Sequence, residues 1–142
     1  MLETELWKKV RAGLGDKWRG HRIENRINAG TPDVFFTLIL DGVRSAGMLE
    51  LKCQEPGKRG GINAKHYTQE QRDFATLHDA VLLMLYSNGW YVLFDSVLCD
   101  EILRGQSFNW HIENSIYASL SPDWSEVALI IKSSLAKAHH AK

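Results

Sequence analysis

The dipeptide Asn88-Gly89 lies between two apolar runs, Ala80–Tyr86 and Trp90–Phe94, and limits the possible folds more than any other feature. Both residues tolerate positive φ, which a two-residue turn between antiparallel strands requires, so the segment reads as a β-hairpin. The run before the turn has no polar member except the tyrosine hydroxyl. A second pair, Asp41-Gly42, separates Val34–Leu40 from Gly47–Cys53 and predicts another hairpin.

Helical spacing appears before and between these hairpins. Leu6, Val10 and Leu14, with Trp7 beside them, predict an amphipathic helix over residues 3–14, ended by glycines at 13 and 15. Residues 19–27 form a weakly alternating strand candidate. The stretch 54–65, with Pro56 and several glycines, reads as a loop. Residues 68–79 read as a second helix, with Thr68 as N-cap. A last helix is expected over 123–138, capped by Ser121 or Asp123 with Pro122 nearby. Residues 96–120 give no clear pattern. The order is helix, three strands, helix, two strands, then a C-terminal helix. That is an α/β chain of the α+β kind with a mixed sheet.

At 142 residues the chain is expected to be a single domain. No run of about 18 apolar residues is present, so no membrane span is expected. The opening Met-Leu-Glu enters a charged amphipathic segment, which lacks the secretory pattern. Cys53 and Cys99 have no metal-type spacing and read as reduced thiols of a cytoplasmic protein. The formal net charge is zero, which argues against a generally cationic coat. It is unevenly distributed: residues 1–72 hold 13 Lys and Arg against 9 Asp and Glu, and residues 73–142 hold 4 against 8. A phosphate-facing N-terminal half fits that polarity, and so does ordinary solvated charge.

Three residues converge on the first hairpin. Asp33 follows Pro32 at the head of the apolar run, and Glu50 and Lys52 lie two apart on the next strand. Period-two alternation sends Glu50 and Lys52 to one face and Leu49, Leu51 and Cys53 to the other. A solvated edge strand or a cross-strand salt bridge would give the same pattern. The chemical reading is phosphodiester hydrolysis. Two carboxylates from different strands can hold a hard cation, and a lysine can orient or deprotonate water or stabilise transition-state charge.

Pro32-Asp33 and Glu50-Leu51-Lys52, in this order, resemble the two signatures of the PD-(D/E)XK nuclease superfamily. The stretch Arg22-Ile-Glu-Asn-Arg through Gly30-Thr-Pro-Asp-Val is similar to small phage VRR-NUC and Holliday-junction resolving nucleases. The resemblance covers roughly residues 3–95. It implies a restriction-endonuclease-like αβββαβ core with residues 96–142 as a C-terminal helical extension. The implied activity is a Mg²⁺-dependent DNA endonuclease, with Mn²⁺ able to substitute, acting on branched DNA in a bacterial or phage-infected cytoplasm. Asp33 and Glu50 would bind the metal. A further ligand would come from the first helix, where Glu3 and Glu5 compete and helical geometry favours Glu3. Gln71 resembles the glutamine that opens the post-loop helix near the metal.

Lys58, Arg59, Lys65 and His66 in the loop, with Arg19, Arg22 and Arg26, are candidate DNA contacts; a solvated connector is the plainer reading of the loop. Cutting two strands symmetrically requires a homodimer, and Trp110, Trp124 and Val127–Ile131 are the candidate interface. The rival readings are a nuclease-fold module that binds DNA or protein without cutting, and a hydrolase of RNA.

Overall fold

The computed structural model describes residues 1–22, 34–57, 81–95 and 106–140. Helix α1 (Glu3–Leu14) buries Leu6, Trp7, Val10 and Leu14 along one stripe. Glu3 and Glu5 occupy its first turn and Arg11 its last, the polarity the helix dipole favours. Gly15 closes it at φ +62°, a conformation that favours glycine, and its N–H donates to the Arg11 carbonyl. After a 3₁₀ turn come β1 (Trp18–Arg22), β2 (Val34–Leu40) and β3 (Val43–Cys53). Then follow β4 (Val81–Ser87), β5 (Trp90–Asp95), the short helix α2 (Phe108–Asn114), β6 (Tyr117–Ser119) and helix α3 (Trp124–His140).

Among the described residues the strands form one mixed six-stranded sheet in the order β1-β2-β3-β4-β5-β6. Only β3 and β4 run parallel; every other pair is antiparallel. Asp41 and Gly42 both have positive φ, as do Asn88 and Gly89, so both hairpins close through two-residue left-handed turns. Leu40 then pairs with Val43, and Ser87 with Trp90. A parallel pair needs a crossover, and the chain between β3 and β4 supplies the length for it. The helix expected over 68–79 falls outside the described residues.

Helices α1 and α3 share one face of the sheet. There Leu6 and Val10, then Val127, Ile131 and Leu135, meet Phe36, Leu38, Leu49, Leu51 and Met84 in the main core. On the opposite face α2 covers β4 and β5, with Phe108, Trp110 and Ile112 against Leu83, Leu85, Val92 and Phe94. This two-sided cover explains why β4 is buried along its length apart from Tyr86, and why its sequence does not alternate. By contrast β2 alternates: Val34, Phe36, Leu38 and Leu40 are buried and Phe35 is exposed.

One expectation changes, and of the two caps offered for the last helix one is selected. The segment after residue 95 is not wholly helical, because β6 adds a strand to β5. The last helix is capped by Asp123, whose Oδ1 accepts from the N–H groups of Ser125 (3.1 Å) and Glu126 (3.3 Å). Of the residues offered as a dimer interface, some are buried within the chain, whereas Leu129 is exposed and Trp110, Trp124 and Ile130 are half-buried. Val127, Ala128 and Ile131 are buried in the main core, Trp124 packs against it edge-on to Tyr91, and Trp110 stacks on Phe94.

The packing of α3 on α1 gives a signed prediction at Gly13. Glycine to alanine inside a helix ordinarily stabilises by about 0.5–1 kcal/mol. Here a Cβ would land inside the Trp124 indole. Gly13→Ala is therefore expected to lower stability by about 1–3 kcal/mol in urea unfolding. A gain would mean that Trp124 does not rest against α1.

Candidate functional site

β3 is an interior strand, bonded to β2 on one side and to β4 on the other. Its alternation sends Leu49 and Leu51 into the core beneath α1 and α3, and turns Glu50 and Lys52 to the opposite face beside Leu83 and Leu85. Glu50 is only 3% exposed. Lys52 Nζ stands 3.5 Å from Glu50 Oε1, with its side chain 12% exposed. The solvated edge strand that the sequence also allowed is thereby removed, and the ion pair lies along one strand rather than across two. Burying a carboxylate costs several kcal/mol unless a countercharge and hydrogen bonds offset it. Replacing such a pair by well-packed apolar residues is often neutral or stabilising. Packing alone therefore does not explain Glu50 and Lys52 at the centre of this sheet.

At the exit of β3 the chain is held by backbone and side-chain bonds. Gln54 N–H donates to the Tyr86 carbonyl at 3.0 Å, and Glu55 Oε2 accepts from Asn88 N–H at 2.9 Å. Cys53 is half-buried there, on the α1 side of the strand. Burial first, then the nearby carboxylate of Glu3, push its thiol up to about 11; Glu5 and Glu55 act in the same sense and the terminal amine opposes them. Glu3 is half-buried and Glu5 exposed, as helical geometry required. The structure thus brings Glu3 to Cys53 at the end of β3, while alternation sends Glu50 the other way.

Asp33, Gln71, Lys58, Arg59, Lys65 and Arg26 lie outside the described residues. Asp33 immediately precedes Val34 in the chain, and Val34 pairs with Leu49, the residue before Glu50. Arg22 ends β1 in register with Val34, and its side chain is not described. Among the described residues no three His, Cys, Asp or Glu side chains converge as a metal cage. Mg²⁺ needs no such cage, since it keeps several waters and is held by one or two carboxylates.

Among the described residues one titratable ring is fully buried, and no ligand spacing in the sequence marks it. His111 is fully buried in α2, edge-on to Phe94 and Trp110. Its Nδ1 donates to the Ser107 carbonyl at 2.7 Å, and Nε2 has no hydrogen-bond partner. Burial holds its pKa below the usual value, against the opposing effect of the Ser107 bond, so the ring stays neutral and acts as a core side chain. No protein-family model, curated protein or solved structure matches the chain.

Two measurements probe this geometry. In a double-mutant cycle, Glu50→Gln and Lys52→Met should show a coupling of about 0.5–3 kcal/mol, because Lys52→Met alone leaves a buried carboxylate without its lysine. Additive effects would mean that the pair does not exist. In a Cys99→Ser background, Cys53 should alkylate about a hundredfold more slowly at pH 8 than a thiol at the ordinary value of 9.0, its rate climbing until about pH 11. Glu3→Gln should speed that reaction. An unchanged rate would separate Glu3 from the end of β3.

Proposed function

We propose that this chain is a metal-dependent DNA endonuclease in which Asp33 and Glu50 hold Mg²⁺ and Lys52 assists attack on the phosphodiester. The observation that carries the reading is the Glu50–Lys52 pair, buried on an interior strand where apolar residues would serve stability better. Loss of stability at a fixed place is a common mark of a site kept for chemistry. Its donor set is carboxylate oxygen, which suits a hard cation.

When bound, Mg²⁺ would neutralise the scissile phosphate and favour formation of hydroxide. Glu50, paired with Leu83 of β4 and buried, would present a ligand with little freedom to reorganise. Lys52, 3.5 Å away, would orient the attacking water or meet the charge developing on the phosphate oxygens. Glu3 borders the same end of β3 through Cys53, on the face opposite Glu50. A branched substrate rests on the family resemblance alone, and symmetric cutting of it would require two copies of the chain.

The test is cleavage of labelled four-way junction, linear duplex and single-stranded DNA with Mg²⁺, Mn²⁺ or EDTA. Cutting should require metal and fall at least a hundredfold in Lys52→Ala, Glu50→Gln and Asp33→Asn. Metal-independent cutting, or full activity in Lys52→Ala, would sink the proposal. Binding without any cutting would leave a nuclease-fold module that holds DNA.

A further inference from the structure

Among the described residues, the face of the sheet that carries Glu50 and Lys52 continues across β1 and β2 without the helical cover that α2 gives β4 and β5. Counting by alternation and register, this face presents Arg19 and His21 from β1, Phe35, Thr37 and Ile39 from β2, and Arg44, Ala46 and Met48 from β3. Arg19, His21 and Arg44 are exposed, and Phe35 is 41% exposed. Neither arginine forms an ion pair among the described residues. Glu50 is the sole acidic residue within β1, β2 and β3, and it is buried against Lys52. The surface is thus cationic, open and interrupted by one aromatic ring, in a chain whose formal net charge is zero.

Register fixes the spacing. Arg19 pairs with Thr37 and Thr37 with Ala46, so Arg19 and Arg44 stand two strands and two residues apart, about 12 Å between Cα atoms. Arg44 lies six residues from Glu50 along one strand, roughly 20 Å. His21, Phe35 and Met48 form the row between the arginines and Glu50. A flat surface with separated guanidinium groups and an exposed aromatic matches an extended polyanion carrying stackable bases.

The geometry points to a DNA strand lying across the open face of β1–β3, its phosphates held by Arg19 and Arg44 and an unpaired base stacked on Phe35, on its way to Glu50 and Lys52. This rests on the nuclease reading for what happens at Glu50, but the face is tested by binding alone. It retains Arg19 from the contacts offered by the sequence, adds Arg44 and Phe35, and is distinct from the post-β3 loop.

The experiment is fluorescence anisotropy with a labelled 20-nucleotide single strand and the matching duplex, in EDTA, over a range of salt concentrations. Arg19→Ala/Arg44→Ala should weaken single-strand binding at least tenfold near 100 mM salt and reduce the slope of log affinity against log salt by about two. Arg19→Lys/Arg44→Lys should keep the slope. Lys8→Ala/Lys9→Ala, on exposed positions of α1, should keep both slope and affinity. Phe35→Ala should cost the single strand about tenfold and the duplex less. Circular dichroism would establish that each variant is folded.

An unchanged slope in the double arginine variant overturns the assignment, while metal-dependent cutting by the same protein would leave the nuclease reading standing. Equal losses from the Lys8/Lys9 pair would reduce it to general charge attraction and overturn it as well. A wild-type chain that binds with the expected slope but never cuts keeps the face and ends the nuclease reading. A wild-type chain that neither binds nor cuts ends both.

Discussion

Everything in this molecule leans on β3 being bonded to β2 through Val43–Leu49 and to β4 through Met48–Cys53. A strand held by β2 and β4 cannot tilt or slide to bring a misplaced side chain to water, because any shift by one residue would exchange Leu49 and Leu51 for Glu50 and Lys52 in the core. The apolar residues beneath α1 and α3 therefore lock the charged ones into place on the other side. Two favourable terms, ladder hydrogen bonds and burial of Leu49 and Leu51, outweigh one unfavourable term, the desolvation of Glu50. The Lys52 ammonium at 3.5 Å reduces that last term without abolishing it.

The two faces of the sheet are unequal in consequence. One is sealed from β1 to β5 by α1 and α3, with Trp18 bridging Trp7 and Phe36 at the β1 end. Among the described residues the other is covered where α2 lies, against β4 and β5. Strands near the closed end are apolar on both sides, and strands at the open end alternate. Glu50 and Lys52 sit at the boundary, where a side chain is buried by its neighbours yet one strand away from solvent. Such a border lets a charge be held rigidly and still be approached.

How much of this the sequence disclosed follows from the range of the forces involved. Asn88-Gly89 and Asp41-Gly42 were legible because positive φ is a local requirement met by few residues. The apolar run before Asn88 was legible as a buried strand for the same local reason. The first part of β3 was missed: Val43, Arg44 and Ser45 carry no apolar alternation, and their strand comes from pairing with Ile39 and Leu40. α2 and β6 were missed because elements of seven and three residues owe their stability to tertiary packing rather than to propensity. In the run after Trp124, periodicity reveals an apolar stripe but not that Val127, Ala128 and Ile131 are covered by the sheet while Leu129 is exposed. At the candidate site, the shared face of Glu50 and Lys52 could be read from spacing. Their burial could not, since an edge strand and an interior one alternate alike.

The parallel pairing of β3 with β4 adds a last constraint on where chemistry could reside. Both strands end at the same side of the sheet, at Cys53 and Ser87, and their chain exits are tied together there by the Gln54–Tyr86 and Glu55–Asn88 bonds. The first turn of α1 comes to this same side, where Glu3 raises the Cys53 thiol. An antiparallel return from β3 would have placed a tight turn at that end. The parallel pairing leaves it instead to Gln54, Glu55 and the first turn of α1. Topology thus does what alternation alone could not: it frees one end of a buried, charged strand while the rest of that strand stays fixed.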